Sequence, residues 1–142
     1  MKNPLLLENQ ICFKIYTAER EITKLYRGLL EEIGVTYPQY LALLVLWEDG
    51  TVSVKELGRK LFLDSGTLTP MLKRMEANGL VERHRSVKDE RSVQISLTQK
   101  GEAVKEKAAC VPTRLLERLE MDGEELESLD QTLMTILGRL QG

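Results

Sequence analysis

At 142 residues with 42% apolar content, the chain suits one compact domain with its own core and no room for a separate catalytic module. Aromatic residues make up only 5% of it while leucine is abundant, which favours helix on helix over a sheet sandwich, and no apolar run approaches the roughly 20 residues of a membrane span. The formal net charge of -2 disfavours a nucleic-acid partner until it is divided: residues 51–100 hold ten basic and six acidic side chains, so the rest of the chain carries the whole negative excess.

Taken in chain order, steps of three and four through Ile11, Ile15, Ala18, Ile22, Leu25, Leu29 and Ile33 predict one face of a long helix. Asn3 and Pro4 suit its start, Gly34 its end and Gly28 a bend within it. The opening residues pair one lysine with a short leucine run, too little for a signal peptide, so the expectation is a soluble cytoplasmic protein. Thr36 and Gln39 have capping-box spacing and open an apolar helix through Leu41, Leu44, Val45 and Trp47, ending at Asp49 and Gly50. Ser53 and Glu56 repeat that spacing before a short helix with Leu57 and Leu61 on one face.

After a break at 62–64, Asp64 or Ser65 caps a further helix. Its Leu68, Leu72 and Met75 fall inward, Thr67, Thr69, Pro70, Lys73 and Arg74 fall outward or flank it, and Asn78-Gly79 closes it. Two such helices across a short turn make a helix-turn-helix. Residues 80–84 and 93–97 read as strands around a charged loop, and a hairpin in that place is a wing. Thr98 caps a last region of two helices, about 99–120 and 123–140, with Pro112 kinking the first and Asp122 with Glu125 starting the second. The expected fold is mostly α with a small β-wing: one domain, 1–142, with a winged helix-turn-helix at about 51–97 and dimerisation helices at about 4–34 and 98–141.

A helix fits the major groove, its first turn offering hydroxyls and N–H groups to phosphates and its later side chains reaching base edges. Ser65, Thr67 and Thr69 are such groups, and Lys73 and Arg74 one turn on suit phosphate or guanine. Each taken alone reads as an outward face in water; together, between a capped helix and a wing, they point to double-stranded DNA. Pro70 costs a helix one backbone hydrogen bond, so a shaped approach to DNA and a plain kink are both open. In the loop, Lys88 is a further cation, Arg91 suits a minor groove and Asp89 is placed to hold its guanidinium, the bland alternative being an exposed ion pair.

No cofactor is expected. A zinc site wants four N or S ligands, and His84 is the only histidine beside Cys12 and Cys110, which have no paired spacing. The two cysteines lie far apart and are expected as thiols. There is no nucleophile elbow, paired metal-ligand set or arginine beside Cys12, which argues against an enzyme such as a thiol peroxidase.

Residues 53–101, with Leu63-Asp-Ser-Gly-Thr-Leu-Thr-Pro-Met-Leu-Lys-Arg74, Lys88-Asp-Glu-Arg-Ser92 and Leu97-Thr98, closely resemble the multiple-antibiotic-resistance regulator (MarR) family, and the likeness runs over nearly the whole chain. Leu7-Glu-Asn-Gln-Ile-Cys-Phe13 and Thr36-Tyr-Pro-Gln-Tyr40 resemble its organic hydroperoxide resistance repressor branch, of the two-cysteine type. The resemblance implies an intertwined homodimer on a pseudo-palindromic operator, recognition helices in successive major grooves and wings in flanking minor grooves, with half-sites ~34 to 36 Å apart.

It also implies that Cys12 senses organic hydroperoxide beside Tyr16 and Tyr26, and that Cys110 traps the oxidised sulfur across the dimer. Phenol donors stabilise the thiolate, which is the species that attacks an O–O bond. Tyr16 lies at i+4 from Cys12, whereas Tyr26 is fourteen residues on, about 21 Å along a helix, so a partner subunit has to supply it. Two alternatives stand beside this one: a family member that answers a phenolic or other small ligand with incidental thiols, and buried or inert cysteines.

Overall fold

The computed structural model describes residues 3–88 and 91–141. Its backbone gathers into two units, Met1–Ala109 and Cys110–Gly142.

In the first unit, Asn3 takes the Leu5 N–H on its side chain at 2.9 Å and a 3-10 turn follows at Leu7–Asn9. Helix α1, Ile11–Leu30, therefore starts a full turn and more later than the Asn3-Pro4 signal suggested, because that signal caps a turn of its own. Gly34, at φ 79°, closes the turns after α1 by donating to the Leu30 carbonyl, as expected for a left-handed stop. Both arms of the Thr36–Gln39 box form at the start of α2, Tyr37–Asp49, at 3.3 and 3.1 Å. The buried face of α2 is Tyr40, Ala42, Leu43 and Leu46, while Leu44 is exposed.

A two-residue strand β1, Val52–Ser53, leads into α3, Val54–Leu61, and α4 follows at Ser65–Ala77. Ser53 accepts from the Glu56 N–H at 3.0 Å, and the Glu56 carboxylate pairs with Arg59 at 3.6 Å. The turn between α3 and α4 is tight: a Cβ on Gly58 would stand 2.6 Å from the Leu63 carbonyl oxygen, so only glycine lets the chain double back there. Phe62 ends α3 in the left-handed region at φ 57°.

Strands β2, Val81–Arg85, and β3, Val93–Leu97, pair antiparallel with Arg83 opposite Ile95, and β1 adds to the other edge of β3 with Val52 opposite Ile95. The sequence gives β1 no periodicity to be read by, since two residues cannot alternate twice. Helix α5, Gln99–Ala108, is capped by Thr98, which accepts from the Gly101 N–H and donates to the Gly79 carbonyl. Gly101 carries two contacts at once: its carbonyl accepts the Trp47 indole N–H at 3.0 Å, and a Cβ on it would meet the Leu80 oxygen at 2.2 Å.

The second unit holds α6, Val111–Leu119, and α7, Gly123–Gln141. The helix expected over 99–120 is thus two helices: the chain breaks at Ala109 and Cys110, and Pro112 sits in the first turn of α6, where its missing N–H costs nothing, rather than at a kink. Asp122 and Glu125 form a reciprocal capping box at 2.8 and 3.2 Å, starting α7 where expected.

Candidate nucleic-acid interface and thiol site

Helix α4 is held by its inner face. Leu68, Leu72 and Met75 are fully buried, each stabilising the packed helix by about 1.5 to 3 kcal/mol, and their burial leaves the opposite face to water. On that face Ser65, Thr67, Pro70, Lys73 and Arg74 are exposed, and Thr69 is half-buried at its edge. The helix is capped by Asp64, whose carboxyl is held below the usual range by hydrogen bonds from the Thr67 hydroxyl and backbone N–H, the latter at 2.7 Å.

The threonines are engaged locally. Thr69 donates its hydroxyl to the Ser65 carbonyl at 2.7 Å, as Thr67 does to Asp64. What remains to each is a methyl group and oxygen lone pairs, a set that suits a thymine methyl or a base donor better than a phosphate oxygen. Ser65, Lys73 and Arg74 keep donor character, with the positive end of the α4 dipole beside Ser65.

Between α3, α4 and the wing runs an open groove of about 720 Å³ whose walls include Lys55, Arg83 and Arg91 with the hydroxyls of Ser65 and Thr69. One wall is fastened by Glu76 near the end of α4. Its Oε2 accepts the Arg83 backbone N–H at 3.1 Å and its Oε1 accepts Nε and Nη2 of the same residue, both at 3.2 Å. The Arg83 backbone and side-chain hydrogen bonds hold the Glu76 carboxyl below its ordinary range. At the wing tip Lys88 and Arg91 are exposed, and the expected contact at Asp89 lies outside the described residues. Neither Glu76 nor Gly58 drew attention in the sequence, because a glutamate on a helix and a glycine in one are common and their meaning lies in what they touch.

Cys12 is exposed in the first turn of α1, with Tyr16 one turn on, exposed, its ring carrying the Arg20 guanidinium 5.1 Å from its centre. Tyr26 lies on the same unbroken helix, fourteen residues from Cys12, as the spacing argument required. Its ring packs 4.3 Å from Tyr37 and 5.8 Å from Tyr40, both from the first turn of α2. Burial, then the neighbouring phenols, pushes Tyr26 up to about 12, so it is a protonated hydrogen-bond donor throughout the neutral range. The sequence offered Tyr37 and Tyr40 only as part of a likeness; the aromatic cluster they complete is a contact between helices. Cys110 is exposed in the link between α5 and α6. Among the described residues no group of three or more His, Cys, Asp or Glu side chains could hold a metal ion, and no helix is long and apolar enough to cross a membrane.

Comparison with known proteins agrees with this geometry. Residues 24–108 match the family model "Transcriptional regulator SarA/Rot". The organic hydroperoxide resistance transcriptional regulator of Bacillus subtilis (strain 168) is 55% identical over 94% of this chain and 91% of its own. Among solved structures, reduced AbfR bound to DNA is 37% identical and superposes with a TM-score of 0.83 over 96% of this chain and 95% of that one; AbfR with a disulfide formed is 38% identical at a TM-score of 0.63, over 92% of each chain. A cysteine-to-serine mutant of MarR from E. coli, complexed with operator DNA, is 26% identical at a TM-score of 0.83, covering 89% of this chain and 93% of that one. These relatives are regulators of transcription and not enzymes, and the chain belongs with them: it is a MarR-like winged-helix member of the SarA/Rot transcriptional regulators, on the organic hydroperoxide resistance branch.

Proposed function

We propose that the chain is a homodimeric, cytoplasmic repressor that binds a pseudo-palindromic operator when reduced and leaves it when organic hydroperoxide oxidises Cys12. The observation that carries the reading is Cys12 standing exposed on α1 of a chain 55% identical to an organic hydroperoxide resistance regulator. Ser65, Thr67, Thr69, Pro70, Lys73 and Arg74 enter the major groove on α4, while Lys88, Asp89 and Arg91 take the wing to the flanking minor groove.

The Cys12 thiolate attacks one oxygen of the peroxide; the O–O bond breaks, the sulfur becomes a sulfenic acid, and the alcohol leaves with a proton. Tyr16 of the same chain and Tyr26 of the partner donate hydrogen bonds that favour the thiolate. The Cys110 thiol of the other subunit then attacks the sulfenic sulfur, forming a disulfide and releasing water. That bond has strict geometry, so it shifts the population toward a state in which the two heads no longer fit the operator.

The test is a gel-shift assay with Cys12→Ser and Cys110→Ser. Reduced Cys12→Ser should bind operator like the wild type and ignore cumene hydroperoxide; release of that variant by the oxidant sinks the sensor assignment. Cys110→Ser should still lose DNA on oxidation only if a low-molecular-weight thiol is supplied to take the place of the second cysteine.

A further inference from the structure

From the contacts of Glu76 we infer that this residue is a positioning residue for DNA recognition: it locks the root of the wing to the recognition helix and thereby sets where Arg91 reaches. The inference rests on the DNA reading above. Glu76 joins α4 to β2 by side-chain hydrogen bonds, because one carboxylate holds both the backbone N–H of Arg83 and two N–H groups of its guanidinium. The backbone bond matters most for placement. It fixes the strand itself, at the residue paired with Ile95 of β3, whose side chain is fully buried.

Arg83 and Arg91 both line the groove between helix and wing, on β2 and on the chain entering β3, so the angle fixed at Glu76 is carried along the hairpin to Arg91. Winged recognition needs that angle. The helix and the wing must meet two different grooves of one duplex at once, and a hairpin free to swing loses part of the benefit to the entropy of ordering it. The two partners are only partly exposed, 38% for the Glu76 side chain and 27% for Arg83, so the pair is less screened than a surface bridge. Its contact with a backbone amide also gives it a geometric role that charge alone lacks.

The experiment uses the reduced full-length protein and a duplex carrying the sequence that the wild type itself selects from a random pool. Glu76→Gln keeps an acceptor for one N–H and removes the charge; Glu76→Ala removes both. Melting temperature is recorded for each, and Arg83→Lys, which keeps the charge without the two-nitrogen grip, serves as the second route should the Glu76 variants unfold. Expected is operator affinity about tenfold weaker for Glu76→Ala, with hydroxyl-radical protection lost in the flanking minor grooves and kept along the backbone bordering the central major grooves. A double-mutant cycle with Arg91→Ala should be non-additive, since Glu76 acts through the wing. Additive losses, or a uniform fading of the whole footprint, overturn the positioning role. A wild type that selects no sequence and leaves no footprint takes down the DNA reading itself, and the inference with it.

Discussion

The single residues that matter fall into two kinds, those visible by their chemistry and those visible by their contacts. Cys12, Lys73, Arg74 and Arg91 were singled out by their residue type together with their place between a capped helix and a wing or in a family-like segment, and the structure leaves each of them exposed. Thr67 and Thr69 were legible as outward hydroxyls, yet their protons turn out to be engaged in their own helix, which local hydrogen bonding of Ser and Thr to backbone and caps explains and spacing cannot reveal. Tyr26 is the sharpest case: its spacing from Cys12 was readable, but its environment is made by Tyr37 and Tyr40 from another helix. That environment is measurable. A folded-state value of about 12 against an ordinary 10.0 means the native state keeps a proton that the unfolded chain gives up in between, so the contribution is whole below pH 10 and is lost as pH rises toward 12. An ultraviolet tyrosinate titration should show one of the four tyrosines ionising last, and Tyr26→Phe should remove that step and flatten the alkaline loss of stability. If the late step survives in Tyr26→Phe, the cluster has been misread.

Elements bounded by their own residues were readable, and elements bounded by something distant were not. The Thr36–Gln39 and Asp122–Glu125 boxes, the Asp64 and Thr98 caps and the Gly34 stop all sit where their spacing put them, because each closes within three or four residues. β1 escaped notice because its register with β3 is set across more than forty residues, and the α5–α6 break was misjudged because a proline in a first turn and a proline at a kink look alike in sequence. Pro70 is the opposite case, a proline well inside α4. Lacking its N–H, it leaves the Gly66 carbonyl without the donor four residues on, and both residues are exposed, so water can take that oxygen. Pro70→Ala should therefore stabilise the protein by about 1 to 3 kcal/mol in a denaturant titration while weakening operator binding. A variant that is more stable and binds equally well would reduce Pro70 to a tolerated defect with no part in docking.

At the scale of the molecule, the apolar surface exceeds what either unit covers by itself. On α1 and the turn before it, Leu5, Leu7, Ile11, Phe13 and Ile15 are exposed, and α7 has no buried residue although Leu129, Leu133, Met134, Leu137 and Leu140 stand on it. Leu133 and Leu137 are one turn apart, as are Leu133 and Leu129, so they share one face of that helix. Exposed leucines at such spacing on a nineteen-residue helix form an apolar face of the kind an interface covers, and the second copy of the chain proposed above is the partner that would cover it. In the proposed dimer the apolar helices would space two α4 helices for successive major grooves, whereas a single head, with a few phosphate contacts, would be left with weak salt-sensitive binding. A charge placed in the face separates the two properties. Leu133→Glu should sediment as a monomer, because burying an unpaired carboxylate in each subunit costs more than the leucine contributed. It should also lose specific operator binding by a factor of a hundred or more while α4 and the wing remain folded, since the loss is of spacing and not of contacts (order-of-magnitude estimate). Circular dichroism reports the fold and sedimentation velocity the mass; a Leu133→Glu chain that stayed dimeric, or bound its operator as a monomer with undiminished affinity, would move the interface off α7.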